Sequence, residues 1–159
     1  MKSENYSREK IMISKITKIG LCLVLGSTLS FATTTDEVKS FVDKGAKLCA
    51  EKGVEVCLDE FNNSNGEFIK GELYMFAYNF SGVNKALGSN PKMVGKNLYN
   101  LKDASGSMLI QELINIAKVK GEGWFDYKWS HPITKKNSDK TSYVKKINDD
   151  LFIGSGFYK

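Results

Sequence analysis

The stretch that decides the fold is GEGWFDYKWSHP, residues 121–132. Its two glycines are typical of the end of a helix. Phe125, Tyr127 and Trp129 then occupy alternate positions, so they share one face of a strand predicted over Trp124–Ser130. The stretch therefore predicts a helix followed by a strand with an aromatic face.

Further strand patterns lie on both sides of this stretch. Downstream, Thr141–Ile147 and Leu151–Tyr158 are separated by the turn residues Asn-Asp-Asp, which predicts a hairpin. Upstream, Glu72–Phe80 has aromatic residues at alternate positions, and the shorter strand Val83–Leu87 follows a Ser-Gly turn. Short links between consecutive strands predict an antiparallel sheet of about five strands.

Three segments have helical spacing of apolar residues. They are residues 33–50, the short segment Val54–Phe61 and the segment Ser107–Val119. The order α-α-β-β-α-β-β-β predicts an α+β fold, and residues 33–159 form a single domain of ordinary size.

Residues 1–32 have the pattern of a secretory signal peptide. Basic residues precede the short apolar run 19–26, and small residues lead to a cleavage site after Ala32. Met12 is an alternative start, and an uncleaved anchor or a buried helix is the alternative interpretation. We expect cleavage near Ala32, a periplasmic location and no stable membrane anchor afterwards.

The charge balance argues against nucleic acid as a partner. The net charge of +5 falls to +2 once the five basic and two acidic residues of the signal peptide are set aside. No nucleophile–base pair, paired carboxylates or phosphate-binding glycine loop is visible, so we predict no enzyme activity, no cofactor and no metal site.

Export also determines how Cys49 and Cys57 are interpreted. Both remain in the mature chain, in an oxidising compartment, and Gly53 between them is a natural helix stop. We expect a disulfide across that corner; two buried thiols are the alternative. Nearby, residues 60–64 match an extended bacterial glycosylation sequon centred on Asn62.

Several motifs together resemble the single Cache domain, an extracytoplasmic sensor family with a PAS-like fold. The stretch of residues 121–132 is similar to a Cache motif in which a Gly-x-Gly turn leads into a Tyr-x-Trp strand that ends in Pro. Residues 140–145 and 152–158 resemble the last two strands of the family. Residues 71–76 and 94–98 also fit. The resemblance covers about residues 36–158 and implies a long N-terminal helix on one face of the sheet and a ligand pocket on the other.

Two departures border the expected pocket. The loop at residues 86–91 lacks the His that the family often carries there, and His131 stands where Asn is more usual.

The candidate site combines rigid aromatic donors with one charge. Tyr127 and Trp129 are expected in the pocket, with Lys140 as the charge for a carboxylate and Ser142 and Tyr143 as hydroxyl donors, depending on register. The aromatic strand upstream is expected to be split, so that one face lines the pocket and the other packs on the long helix. These assignments complete the predicted set, which is Tyr74, Phe76, Tyr127, Trp129, His131, Lys140, Ser142 and Tyr143. The alternative is that the aromatics are core and the lysine is solvated.

The sequence thus favours a sensor that binds a small organic acid and presents the signal to a membrane receptor or kinase on another chain. An amine ligand held by the same aromatics is one alternative. A structural or adaptor protein with a closed pocket is another.

Overall fold

The computed structural model describes residues 33–159, so the predicted signal peptide lies outside the described residues. These residues belong to one compact unit. None of the helices in this part of the chain combines the length and the apolar character that crossing a membrane requires.

Two helices open the domain and meet at a disulfide. Helix α1 spans Thr35–Lys52, with the Thr34 hydroxyl accepting a hydrogen bond from a first-turn backbone N–H. Helix α2 spans Val54–Asn62. Cys49 and Cys57 form a disulfide across the corner between them, with their Cα atoms 5.0 Å apart.

Seven strands in the described part of the chain form two sheets. The two-stranded sheet pairs β1 and β2, and the main sheet has five antiparallel strands in the order β4-β3-β7-β6-β5. The strands are β1 Ile69–Lys70, β2 Leu73–Tyr74, β3 Phe76–Asn79, β4 Asn84–Leu87, β5 Glu122–Ser130, β6 Asn137–Lys146 and β7 Leu151–Tyr158. The α+β class and the main sheet of five strands are confirmed, and the last strand of the chain is the central one.

The predicted continuous strand Glu72–Phe80 is wrong in one respect, because it is interrupted at Met75. The Met75 backbone N–H donates to the carbonyl of Phe68, and its carbonyl accepts from Gly88. The carbonyl of Tyr74 accepts from the Ser155 hydroxyl, at 2.8 Å. At Met75 the chain passes from the two-stranded sheet into the main sheet. Its side chains continue to alternate between the two faces across this break.

The third helix and the segment before it cover one face of the main sheet. Helix α3 spans Leu109–Lys120, and a 3-10 helix, Pro91–Met93, lies in the preceding loop. The Asp103 carboxylate accepts hydrogen bonds from its own loop and from the backbone N–H of Lys128 in β5, the latter at 2.8 Å. Asp103 therefore fastens this loop to the strand that carries Tyr127.

The main sheet has a buried cluster on each side. The side under α1 and α2, which we name the helix face, holds Phe41, Phe61, Phe68, Met75 and Ile153. The side under α3, which we name the cavity face, holds Phe76, Tyr78, Leu109, Leu113 and Phe152. Each strand contributes alternate residues to the two faces.

The Asn62 side chain forms hydrogen bonds with three backbone groups. Its amide nitrogen donates to the carbonyls of Leu58 and Lys85, at 3.1 and 3.3 Å, and its oxygen accepts from the Leu87 backbone at 3.1 Å. These bonds fix the end of α2 to β4. They argue against the sequon interpretation, because glycosylation requires an amide nitrogen that is free to react.

Candidate ligand-binding site

An apolar cavity lies between α3 and the cavity face. Its walls are aromatic on the sheet side and aliphatic on the helix side: Tyr74, Phe76, Tyr78, Leu87, Leu109, Ile110, Leu113, Tyr127 and Trp129. The volume is about 10 Å³, which is room for about one water molecule. The cavity in this structure is therefore smaller than any carboxylic acid.

Lys140 borders this cavity behind its tyrosines. In the sheet it lies between Tyr127 of β5 and Tyr158 of β7, its direct cross-strand partners. Only 1% of its surface is exposed, and among the described residues its Nζ atom has no hydrogen-bond partner. Nζ instead lies 3.9 Å from the centre of the Tyr74 ring and 4.7 Å from that of Tyr158.

These surroundings favour an ammonium group only weakly. Burial lowers the pKa of Lys140, and the nearby Tyr74 and Glu72 oppose that shift without cancelling it. Aromatic faces attract a cation, but they are poorer partners than an anion or water. The lysine is thus a buried donor whose hydrogen-bonding capacity is unused.

Residues next to Lys140 in the sheet or in contact with its side chain carry two hydrogen-bonded pairs of hydroxyl groups. The Tyr127 hydroxyl lies 2.9 Å from Oγ of Ser142, which is fully buried. The Tyr74 hydroxyl lies 3.1 Å from that of Tyr158, which in turn donates to the carbonyl of Ser130 at 2.9 Å. Burial raises the pKa of Tyr127, so this hydroxyl keeps its proton and remains able to donate.

His131 lies at the rim of the site. Its Nε2 atom is 3.0 Å from Oε2 of Glu72, and its Nδ1 atom accepts from the backbone N–H of Ile133 at 3.1 Å. This pattern assigns the ring proton to Nε2. The ring packs on Tyr158, with the two centres 4.4 Å apart, so His131 holds the β5–β6 turn against the aromatic cluster.

Most of the predicted residues come together on one face. Tyr74, Phe76, Tyr127 and Trp129 line the cavity, and Lys140 and Ser142 lie on the same side of the sheet behind them, with His131 at the rim. The predicted split of the upstream aromatics is wrong. Tyr74, Phe76 and Tyr78 all belong to the cavity face, because the residues between them turn to the helix face.

The prediction that Tyr143 is a hydroxyl donor in the pocket is also wrong. It follows Ser142 directly in β6, so it points to the opposite side of the sheet. Its ring packs against Trp124 with centres 5.1 Å apart, and its hydroxyl accepts from Lys39 of α1 at 3.0 Å. Tyr143 therefore belongs to the helix face.

Tyr158 belongs to the site but lies outside the set of residues predicted from the sequence. Residues 147 and 151 close the β6–β7 hairpin, and counting outward from that pair places Tyr158 opposite Lys140. The turn residues of this hairpin therefore contain the information that predicts the pairing of Tyr158 with Lys140. Among the described residues, no group of three or more His, Cys, Asp or Glu side chains is placed to hold a metal ion.

Comparison with known families agrees with this arrangement. The dCache_2 model of the Cache domain matches residues 34–159. The chain is 35% identical over 86 residues to the sensor histidine kinase MctS of Rhizobium johnstonii and 30% identical over 71 residues to the methyl-accepting chemotaxis protein McpP of Pseudomonas putida. The matches cover 54% and 44% of this chain, but only 18% and 13% of those proteins. The chain therefore spans a small part of the length of these curated relatives.

Solved structures show the same fold. A methyl-accepting chemotaxis protein from Vibrio parahaemolyticus aligns with a TM-score of 0.68 at 23% identity, over 77% of this chain and 86% of that one. A second, described as "Structural basis for carboxylic acid recognition by a Cache chemosensory domain", aligns with a TM-score of 0.60 at 24% identity, over 76% and 84%. Since the family model spans nearly all of the described residues, the chain belongs to the Cache family of sensor domains.

Proposed function

We propose that the domain is a periplasmic sensor for a small organic carboxylate, with Lys140 as the charge that recognises it. The observation that carries the proposal is the position of the Lys140 ammonium, which is buried beside an apolar cavity with no hydrogen-bond partner among the described residues. An unpaired buried charge is costly, and an anion that paired with it would recover part of that cost.

The surroundings of the lysine favour a small acid with a short apolar part. Tyr127, the cross-strand partner of Lys140, and Ser142, two residues along the same strand, carry hydroxyl groups, and Tyr127 also lines the cavity of aliphatic and aromatic side chains. A carboxylate needs donors, whereas its hydrocarbon part needs apolar walls. The carboxylic acid named for the structurally similar Cache domain supports this ligand class. An amine ligand is disfavoured by repulsion from Lys140.

Binding requires the aromatic walls to move. The present cavity of about 10 Å³ does not accept a carboxylate, and the rings of Tyr74 and Tyr127 lie between it and the lysine. Ring movements of this kind are common when a ligand binds a site with little backbone change. We propose that the ligand replaces the ring contacts of Lys140 with a salt bridge.

The downstream partner is proposed from the relatives. The two curated relatives are a sensor kinase and a chemotaxis receptor, so a membrane receptor or kinase on another chain is the partner class that fits. The signal-peptide pattern of residues 1–32 supports export to the periplasm.

The small cavity favours one second candidate. A Cache domain whose pocket stays closed would act as a structural or adaptor module, and the volume of about 10 Å³ is what such a module would show. The two candidates differ in whether any small acid stabilises or binds the protein.

The test is calorimetric titration of the purified protein with acetate and a panel of short monocarboxylates and amines. We expect a carboxylate to bind and Lys140→Met to weaken it by at least about 30-fold, because a buried charge pair is typically worth 2–5 kcal/mol. The matched control is Lys145→Met, which alters the same strand on the helix face and should change affinity less than about twofold. Equal affinity in wild type and Lys140→Met would refute the charge assignment. No binding of any acid would favour the adaptor.

A further inference from the structure

A basic groove opens next to the closed cavity. It encloses about 430 Å³ between the loop that contains the 3-10 helix and the turn that joins β5 to β6. Its residues include Leu87 and Trp129, which also line the cavity, so these two side chains separate the groove from the closed space. A volume of this size is in the usual range for small-molecule sites.

The groove also adjoins the lysine of the site by a second route. Ser130 and His131 line it, and both touch Tyr158: the Ser130 carbonyl accepts from the Tyr158 hydroxyl, and the His131 ring packs on the Tyr158 ring. Tyr158 in turn lies against the Lys140 ammonium. A molecule in the groove is therefore one side chain from both the cavity and Lys140.

The charged groups of the groove are positive. Lys92 and Lys135 line it from opposite walls, and none of the described residues that line it is acidic. The carboxylate of Glu72 is engaged with Nε2 of His131, one of the residues that line the groove. Clefts lined by one sign of charge concentrate counter-ions and speed their association.

We propose that this groove is the entrance of the ligand cavity, that Lys92 and Lys135 collect anions in it, and that Trp129 is the side chain that moves to admit them. The inference deepens the proposed function and rests on it for the identity of the cargo. It assigns to the two lysines a role in the rate of binding, distinct from the role of Lys140 in affinity.

The first measurement does not depend on any ligand. The chain has two tryptophans, so Trp124→Phe leaves Trp129 as the only one. We expect its fluorescence to be quenched more strongly by iodide than by caesium. In 0.1 M salt, Lys92→Gln with Lys135→Gln should lower the Stern–Volmer constant for iodide quenching about twofold and leave quenching by neutral acrylamide unchanged.

The control variant removes the same charge elsewhere. Lys52→Gln with Lys120→Gln neutralises the last residues of α1 and α3. Lys120 precedes the start of β5, whereas the groove lies at its far end, roughly 25 Å away at about 3.3 Å per residue. That separation exceeds the screening length of about 10 Å at 0.1 M salt. Equal loss of iodide quenching in both double variants, or none in either, would overturn the role of the groove lysines.

The second measurement is stopped-flow binding of acetate, followed by Trp129 fluorescence. We expect the groove double variant to slow association about threefold at low salt, leave dissociation unchanged, and match wild type in 0.5 M salt. If acetate binds and its association rate is unaffected, the entrance is elsewhere while the sensor proposal stands. If acetate does not bind to wild type although iodide gathers at Trp129, the sensor proposal fails for this acid while the groove's attraction for anions is upheld.

Discussion

On the helix face, Lys39 and Lys145 alternate with Asp43 and Glu122, with nitrogen–oxygen distances of 2.5–3.9 Å. On the cavity face, Lys140 has tyrosine rings around it and no hydrogen-bond partner among the described residues. Lys140 and Lys145 belong to the same strand and differ only in the direction in which they point. The helix face pairs its charged groups within the fold, whereas on the cavity face the Lys140 ammonium has no hydrogen-bond partner among the described residues.

The helix face is also closed by a longer helix than the cavity face. The helix face is closed by a long helix, a disulfide and interlocked aromatic rings such as Phe61 on Phe68, whose centres are 4.9 Å apart. The cavity face is closed by the shorter α3 and by a loop that Asp103 ties to β5. Elements with fewer buried contacts open more readily. We infer that the cavity face is the part that adjusts when a ligand binds.

The largest expected effect comes from enlarging the cavity. Leu113→Ala, on α3, should destabilise the protein by about 2–5 kcal/mol because it removes buried apolar contacts. A longer monocarboxylate that fills the new space should recover part of the loss. The measurement is thermal unfolding with and without such acids.

The matched variant for this prediction is Ile153→Ala on the helix face. It should lose a similar amount of stability, but no carboxylate should restore it. Equal rescue of both variants would mean that the acids stabilise the protein without occupying the cavity.

The disulfide should contribute to stability and not to binding. Replacing Cys49 and Cys57 with Ala frees a segment with a sequence separation of 8. A loop of that size corresponds to about 2.5 kcal/mol of lost stability in the chain-entropy model. Denaturant unfolding measures the loss, and titration with acetate should give unchanged affinity. A weakened affinity would show that the helix face shapes the ligand site.

Local sequence patterns predicted the fold better than the site. The strand Leu151–Tyr158 was predicted with its observed bounds, since its hairpin turn and its apolar run are both local signals. The upstream strand was not, because its break at Met75 depends on backbone partners from Phe68 and Gly88. The position of those partners follows from the whole fold, and no pattern near Met75 reports it.

The same distinction explains the site residues. Lys140, Ser142 and Tyr143 were all predicted for the site, with the hydroxyl donors left to depend on register. The alternation of faces along β6 places Lys140 and Ser142 on one side of the sheet and Tyr143 on the other. The pairing of Tyr127 with Lys140 is harder to predict, since the turn between β5 and β6 has six residues and does not fix a register. The burial of Lys140 required the rings of Tyr74 and Tyr158, which come from distant parts of the chain.

Replacing Lys140 should change stability less than removing the disulfide, and it should stabilise the protein. Lys140→Met should raise the free energy of unfolding at pH 7 by about 1–3 kcal/mol, because it removes a buried donor without a hydrogen-bond partner and keeps an apolar stem. The pKa of Lys140 is lowered by burial, so the wild-type cost is full below the folded-state pKa. The cost is relieved as pH rises from there toward 10.5, the ordinary pKa of a lysine side chain.

The advantage of Lys140→Met should therefore shrink with rising pH. Denaturant unfolding of both proteins from pH 7 to pH 10 measures the difference directly. An advantage that is constant over this range would mean that the cost of Lys140 does not come from its charge.

The smallest effect is expected from the ionic network on the helix face, which is partly exposed and screened by solvent. A hydrogen bond with Lys145 lowers the pKa of Asp43, and hydrogen bonds with Tyr143 and then Lys145 lower that of Glu122. Carboxyl groups with lowered pKa values stabilise the fold above their unfolded-state values, and this contribution is lost as pH falls through the folded-state values.

Asp43→Asn with Glu122→Gln should thus cost less than about 1 kcal/mol per ion pair at pH 7. The double variant should also lose less stability than wild type between pH 5 and pH 3, as measured by thermal unfolding at low and high salt. If the difference persisted undiminished in 0.5 M salt, the network would be stabilising the fold through packing, and the contrast between the two faces would rest on Lys140 alone.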